Sequence, residues 1–201
     1  MKILAFDVSS RRGSIAFSQA EEVLVSRDWA NDRRNSAPFF AELNEIIQAH
    51  GPPEKIIVGL GPGSYTGTRI AISAAIGLQM TTKAELFGLP SVSALSMDSR
   101  YFAIGDAKRE SFFLAEIHNG SLVGQPELFS EDKLRKRLSV TELPIFTSDE
   151  LPQFNRVQLR FPSAELLSRL SKKTGNLVHV PLAPIYLRSP HFTVPRAAAL
   201  R

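Results

Sequence analysis

Residues 2–6 form a short apolar run that ends at Asp7, and residues 14–18 and 23–27 form two more, joined by the polar turns 7–13 and 19–22. Three such runs with short polar joints predict an antiparallel meander of strands. The polar stretch 32–36 follows, with Arg33 and Arg34 adjacent; Ser36 can cap a helix there, with Pro38 in its first turn. Phe39, Phe40, Leu43, Ile46 and Ile47 recur at helical spacing as one apolar face, and Gly51-Pro52-Pro53 ends the helix. The β-branched run 55–60 predicts a buried strand, and the apolar run 70–80 predicts a helix.

The pattern then restarts. After Gly88-Leu89-Pro90, Ser91 can cap a short helix through Leu95. Residues 101–104 and 111–117 read as strands, with residues 122–123 as a third after the Asn119-Gly120 turn. Ser130 is placed to cap a basic helix through Leu138, and residues 144–147 read as a strand. Ser163 caps a last helix carrying Ala164, Leu167 and Leu170, closed by Gly175. Both halves therefore read β-β-β-α-β-α, the second more weakly. Each half also places an aspartate, Asp7 or Asp106, after its first strand and a basic pair before its second. This predicts an α/β protein of two duplicated lobes, residues 1–98 with the glycine loop and a smaller, degenerate lobe with a tail over residues 99–201.

Between strand 55–60 and helix 70–80 lies Gly61-Pro62-Gly63-Ser64-Tyr65-Thr66-Gly67-Thr68-Arg69. Its glycines permit close backbone approaches, and Ser64, Thr66 and Thr68 can cap the helix. A Walker phosphate loop does not fit, because the second glycine is one place late and no Lys-Ser or Lys-Thr follows. A dinucleotide fingerprint fits poorly: the loop follows the fourth predicted strand, and Glu85 precedes a strand where an acidic residue should end one. A tight turn whose glycines serve packing accounts for its conformation.

Composition narrows the setting. The 201 residues are 43% hydrophobic and 22% charged, which suits a globular chain with a sizeable core. No cysteine is present, which excludes disulfides, thiolate zinc sites and thiol nucleophiles. No apolar run is long enough to span a bilayer, and strand-forming residues start at Ile3, so a cytoplasmic protein is expected. The net charge of +4 and pI of about 9.6 are compatible with a nucleic-acid partner and equally with a basic solvated surface, the simplest reading of Arg33-Arg34 and of the run 133–137.

Candidate chemistry is sparse. His50, His118, His179 and His191 are far apart, with no helical pair among them, and no serine sits in a nucleophile elbow. No metal site and no catalytic residue are expected. Asp7 and Asp106 are the paired carboxylates; they are either vestigial phosphate-site residues or turn residues. In the helix after the glycine loop, Ile70, Ala71, Ala74 and Leu78 read as the core side. Ile72, Ile76 and Met80 read as an outer side, beside Arg69 and Ser73, with small Ala75 and Gly77 able to admit another helix. Either the monomer covers this helix twice or a partner covers the outer side.

A duplicated β-β-β-α-β-α unit with an aspartate after each first strand resembles the actin, sugar-kinase and chaperone-ATPase (ASKHA) superfamily. A closer likeness rests on Leu4-Ala5-Phe6-Asp7-Val8-Ser9-Ser10, the string from Gly61 to Ile70, Ile104-Gly105-Asp106-Ala107-Lys108-Arg109-Glu110 and Pro184-Ile185-Tyr186-Leu187-Arg188. In order and spacing these resemble the TsaB (YeaZ) family over nearly the whole chain; residues 122–161 contribute little. The glycine loop with Arg69 is the specific part. Asn35 and Val8 depart from residues common in the family, histidine and threonine.

The resemblance implies a non-catalytic dimerisation subunit in tRNA threonylcarbamoyladenosine formation. It would pair with a TsaD-like catalytic subunit, with a TsaE-like ATPase at their junction. It implies tRNA engaged through the complex, a homodimer in the partner's absence and no membrane. It implies no cofactor of the chain's own, any ATP or ADP being shared at the complex interface. It assigns the partner interface to Arg69, Ile72, Ser73, Ile76, Gly77 and Met80. The alternative, of another class, is an ATP-dependent phosphotransferase with Asp7 and Asp106 holding magnesium.

Overall fold

Strand β1 (Lys2–Asp7) is apolar at successive positions because both of its faces are covered. Leu4 and Phe6 face one core, and Ile3 and Ala5 face another. The computed structural model describes residues 1–188 except 21, 33–34, 174–177 and 180, so Arg33, Arg34, Gly175 and His191 lie outside the described residues. Strands β2 (Arg12–Gln19) and β3 (Glu22–Ala30) pair antiparallel outward from β1. Helix α1 (Ala37–His50) leads to β4 (Lys55–Gly59), parallel to β1 on its other side. Helix α2 (Tyr65–Thr82) leads to β5 (Glu85–Leu89), parallel to β4.

After a 3-10 turn (Ser91–Ala94), the same plan recurs. Strand β6 (Arg100–Asp106) is central. On one side β7 (Ser111–His118) and β8 (Ser121–Ser130) pair antiparallel. After α3 (Glu131–Ser139), β9 (Ile145–Thr147) and β10 (Val157–Leu159) pair parallel on the other side. The sheets run β3-β2-β1-β4-β5, with a sixth, short strand from the end of the described chain beyond β5, and β8-β7-β6-β9-β10, so the first five strands of each follow the same order. That is a duplicated α/β architecture, and the second half has no helix between β9 and β10 among the described residues.

Three sequence expectations change. The third strand of the second half runs ten residues, not two, because Gly124 and Pro126 are tolerated on an exposed edge strand. Strand β10 was not anticipated; three residues with one half-buried valine leave no pattern to read. The last helix, α4 (Ala164–Lys173), does not pack on the second sheet. Ala164, Leu167 and Leu170 cover the β1–β4 face of the first sheet, opposite α1 and α2, and β11 (Val178–His179) pairs with β5. The segment 99–201 thus supplies one sheet and also part of the lobe built on residues 1–98.

Two polar contacts fasten α4 to β2: Ala164 N donates to Ser14 Oγ at 2.9 Å, and Ser168 Oγ and Ser18 Oγ lie 3.0 Å apart. The returning segment 181–188 stitches the halves. Leu182 and Ile185 pack in the α1–α2 core, Ile185 N donates to Leu60 O at 2.8 Å, and Leu187 packs in the core between the 3-10 turn and the second sheet.

Candidate functional site

The glycine loop lies against the β1–β2 turn. Ser64 N donates to Ser9 O at 2.6 Å, and Gly61 N donates to Ser91 Oγ at 2.8 Å. Ser64 caps α2 by accepting from Gly67 N at 3.2 Å, and its carbonyl accepts from Thr68 N at 2.9 Å. A Cβ on Gly63 would stand 2.4 Å from Ser9 O, and one on Gly67 would stand 2.1 Å from Val8 O. These glycines let two backbones touch. The N–H groups that a phosphate cradle would offer at Gly61, Ser64, Gly67 and Thr68 are bonded within the protein.

Asp7 ends β1 with its carboxyl fully buried. Oδ1 accepts from Ser9 N at 2.8 Å and from Ser9 Oγ at 2.7 Å, the geometry of an Asx turn. Oδ2 makes no hydrogen bond within the described residues. The Ser91 hydroxyl stands beside it and offsets part of the cost electrostatically. Burial is the larger influence and pushes the carboxyl above its ordinary range.

Asp106 repeats the turn in the second half, Oδ1 accepting from Lys108 N at 2.7 Å. Oδ2 is 2.5 Å from Lys108 Nζ, and Asp106 N donates to Asp149 Oδ2 at 2.9 Å. A cleft of about 360 Å3 between the halves is lined by Ser9, Ser10, residues 62–66, Asp106, Lys108, Ser148 and Asp149. Asp7 is not among its lining residues. The two aspartates expected to act together are therefore separated, one sealed beneath the loop and the other on the cleft wall paired with lysine. This donor set does not fit a metal-bound nucleotide phosphate.

The sign of Asp7's shift gives a test. A carboxyl whose folded pKa is raised favours the folded state while protonated, and that contribution is lost as pH rises through the folded pKa. Asp7→Asn keeps the Oδ1 turn and gives Ser91 Oγ an amide donor. The variant should melt higher than wild type at neutral pH, with the difference shrinking toward pH 4. A variant less stable than wild type at pH 7 would mean that the ionised carboxyl has a partner this account lacks.

On α2, successive residues advance about 100°. Ala71, Ala75, Thr68 and Ile72 fill one arc and are buried. Ile72 is thus core, 5% exposed, which corrects its assignment to the outer side. Ile72 and Ile76 are four apart and drift by about 40°, which carries one of them over the edge of the buried arc. The outer face comprises Tyr65, Arg69, Ser73, Ile76, Gly77 and Met80, all exposed. Ile76 is 39% and Met80 69% exposed, and a Cβ on Gly77 would meet nothing within 4 Å. On the core side Ala71 is buried, while Ile70, Ala74 and Leu78 are half-buried against the α1–α2 core.

Phe40, read as core, is 46% exposed on α1. Adjacent Phe39 and Phe40 cannot both face inward about 100° apart, and Phe39 takes the core. Phe40, Tyr65, Arg69, Ile70 and Ser73 line a shallow apolar groove between the helices. Arg69 stacks over the Tyr65 ring at 5.0 Å and donates to its hydroxyl, and Tyr65 lies 5.6 Å from Tyr186. Tyr186 was legible only as part of a motif, and Asp149 left no signal.

No protein-family model matches the chain. It is 29% identical over 133 residues to the tRNA threonylcarbamoyladenosine biosynthesis protein TsaB of Bacillus subtilis (strain 168), covering 61% of this chain and 58% of that protein. The chain thus spans less than two thirds of that curated relative. Two solved structures from Pseudomonas aeruginosa share the fold. One, described as an uncharacterised protein with similarity to peptidase YeaZ, has a TM-score of 0.75 at 20% identity, covering 93% of this chain and 99% of that one. The other, YeaZ, has a TM-score of 0.76 at 18% identity, covering 92% and 100%.

Proposed function

We propose, from the premise that this chain belongs to the TsaB/YeaZ family by sequence match and fold together, that it takes part in the biosynthesis of tRNA threonylcarbamoyladenosine. Its part is that of a non-catalytic subunit. The outer face of α2, with Phe40 of α1 beside it, docks a TsaD-like transferase, and a TsaE-like ATPase joins the assembly. The observation that carries this reading is the exposure of Ile76 and Met80 on the outer face of α2, together with that of Phe40 and Tyr65, which line a groove of about 590 Å3 with Arg69, Ile70 and Ser73. A contiguous apolar surface of this kind calls for a partner. Arg69, Ser73 and Gly77 complete the face; Ile72 holds it from beneath. In the partner's absence a second copy would cover the same face.

The phosphotransferase alternative loses its main support with Asp7 sealed away from the cleft. The test is reconstitution of threonylcarbamoyl transfer from a supplied activated threonylcarbamoyl donor to a tRNA transcript, with the TsaD-like and TsaE-like proteins of the same organism, with and without this chain. Transfer should require the chain, and the chain alone should transfer nothing. Full activity without it, or transfer by it alone, would overturn the reading.

A further inference from the structure

A strip of alternating cations and aromatic rings runs from the edge of the α2 face toward the second half. Arg69 stacks over Tyr65, Tyr65 lies against Tyr186, and Arg188 Nη2 donates to Lys108 O at 3.2 Å. Both tyrosines are exposed, Tyr65 57% and Tyr186 44%. Lys108, Arg109 and Glu110 have φ of 63°, 53° and 56°, three consecutive side-chain-bearing residues in a region such residues seldom occupy. Ser111 N, donating to Lys108 O at 3.2 Å, and Arg188 hold this turn, which exposes Lys108 and Arg109 at the end of the strip.

Charge favours an anionic polymer. Residues 1–98 carry nine Lys and Arg against ten Asp and Glu, while residues 99–201 carry fifteen against ten. The basic excess thus lies wholly in the half toward which the strip leads. The nearby carboxylates are placed to shape the contact. Asp106 and Asp149 line the inside of the cleft and would turn phosphates away from it, and Glu110 bounds the turn. Phosphates would therefore follow Arg188 and Arg109 along the rim, with a base stacked on Tyr186, while Arg69 and Tyr65 stay with the docking face.

We propose that this strip is a direct binding surface for single-stranded RNA, by which the chain itself holds an unpaired loop of the tRNA beside its partner. The proposal rests on the functional reading above and adds a contact made by this chain's own residues. Stacking that is sequence-tolerant, flanked by arginines and continuous with the partner face suits an unpaired RNA segment crossing from one subunit to the other.

The test uses fluorescence anisotropy of the full chain with a labelled single-stranded RNA and with a matched RNA duplex, over a salt series. The single strand should bind more tightly than the duplex. Tyr186→Ala should weaken it by roughly fivefold or more, as expected for loss of one stacked base, and Tyr186→Phe should restore it. Arg188→Ala and Arg109→Ala should each flatten the slope of log affinity against log salt by about 0.7, the value for one phosphate contact on a single strand. Circular dichroism checks that each variant folds; where Arg188→Ala unfolds through its bond to Lys108 O, Arg109→Ala carries the salt test.

Equal binding of duplex and single strand, or no effect of Tyr186→Ala, overturns the proposal. So does binding of an acidic peptide in competition with RNA at equal affinity, which would make the strip a protein-docking surface. The reconstitution assay keeps the two readings apart. A chain that is required for transfer but binds RNA no differently as Tyr186→Ala loses only this inference.

Discussion

Ile76→Asp should cut association with a TsaD-like partner, or self-association in its absence, by two or more orders of magnitude while the monomer stays folded. Full burial of a side chain this size contributes roughly 1.5–3 kcal/mol. Ile76 is 39% exposed, so docking adds only part of that range. The larger effect is the charge: an unpaired polar group buried at an interface costs several kcal/mol by transfer estimates of about 2–7, and each ~1.4 kcal/mol is tenfold in affinity. Met80→Asp is the companion. Met80 is 69% exposed and contributes little to the fold, so its variant isolates the interface effect if Ile76→Asp disturbs the helix. Sedimentation of both variants, alone and with the partner, reads the result. Two folded variants that associate as wild type does would move the partner to another surface.

The duplicated architecture was legible because each central strand is buried on both faces and so reads as an unbroken apolar run between turns. Leu4-Ala5-Phe6 and Tyr101-Phe102-Ala103-Ile104 are such runs. Turn chemistry was legible at the same places: Asp7 and Asp106 close their strands with the same carboxylate-to-i+2 hydrogen bond, the turn role weighed from sequence. What composition and spacing could not carry was which sheet an element joins. The apolar stripe of α4 is plain, but nothing local says that it crosses to β1 and β2, because that is fixed by contacts some 150 residues away such as Ser14 with Ala164.

The site was legible at a different grain. The outer face of α2 follows from helical pitch once one residue is moved: the buried arc is wide enough to take in Ile72, so the exposed apolar stripe is Ile76 and Met80 with help from Phe40 on the neighbouring helix. A pattern read one helix at a time cannot see that second contribution. Asp7 shows the opposite limit. Its identity and position were plain, yet burial decides its chemistry, and burial depends on the glycine loop and Ser91 closing over it.

The same substitution at two glycines of α2 should move stability in opposite directions. Gly67→Ala would drive a Cβ to 2.1 Å from Val8 O. That carbonyl lies inside the Asp7–Ser9 turn and is also held by Asn31 Nδ2 at 3.1 Å, so it cannot yield without breaking its neighbours. Overpacking of this kind costs about 1–3 kcal/mol and at times more. For a chain of this length each kcal/mol shifts the melting temperature by about 2–4 °C, so a fall of roughly 5–10 °C is expected. Gly77→Ala adds a Cβ to open space in a helix interior. Alanine is favoured there by about 0.5–1 kcal/mol, so the variant should melt a few degrees higher. Gly77→Ala should nonetheless weaken association, because the space open in the monomer is where a partner helix would pack. Scanning calorimetry and sedimentation of both variants separate these effects. If Gly67→Ala melts as wild type does, the β1–β2 turn yields freely, and the loop's glycines must be explained by something other than the contact they make with it. If Gly77→Ala raises stability and leaves association intact, the partner does not approach α2 at that turn, and the docking face narrows to Ile76, Met80 and the Phe40 groove.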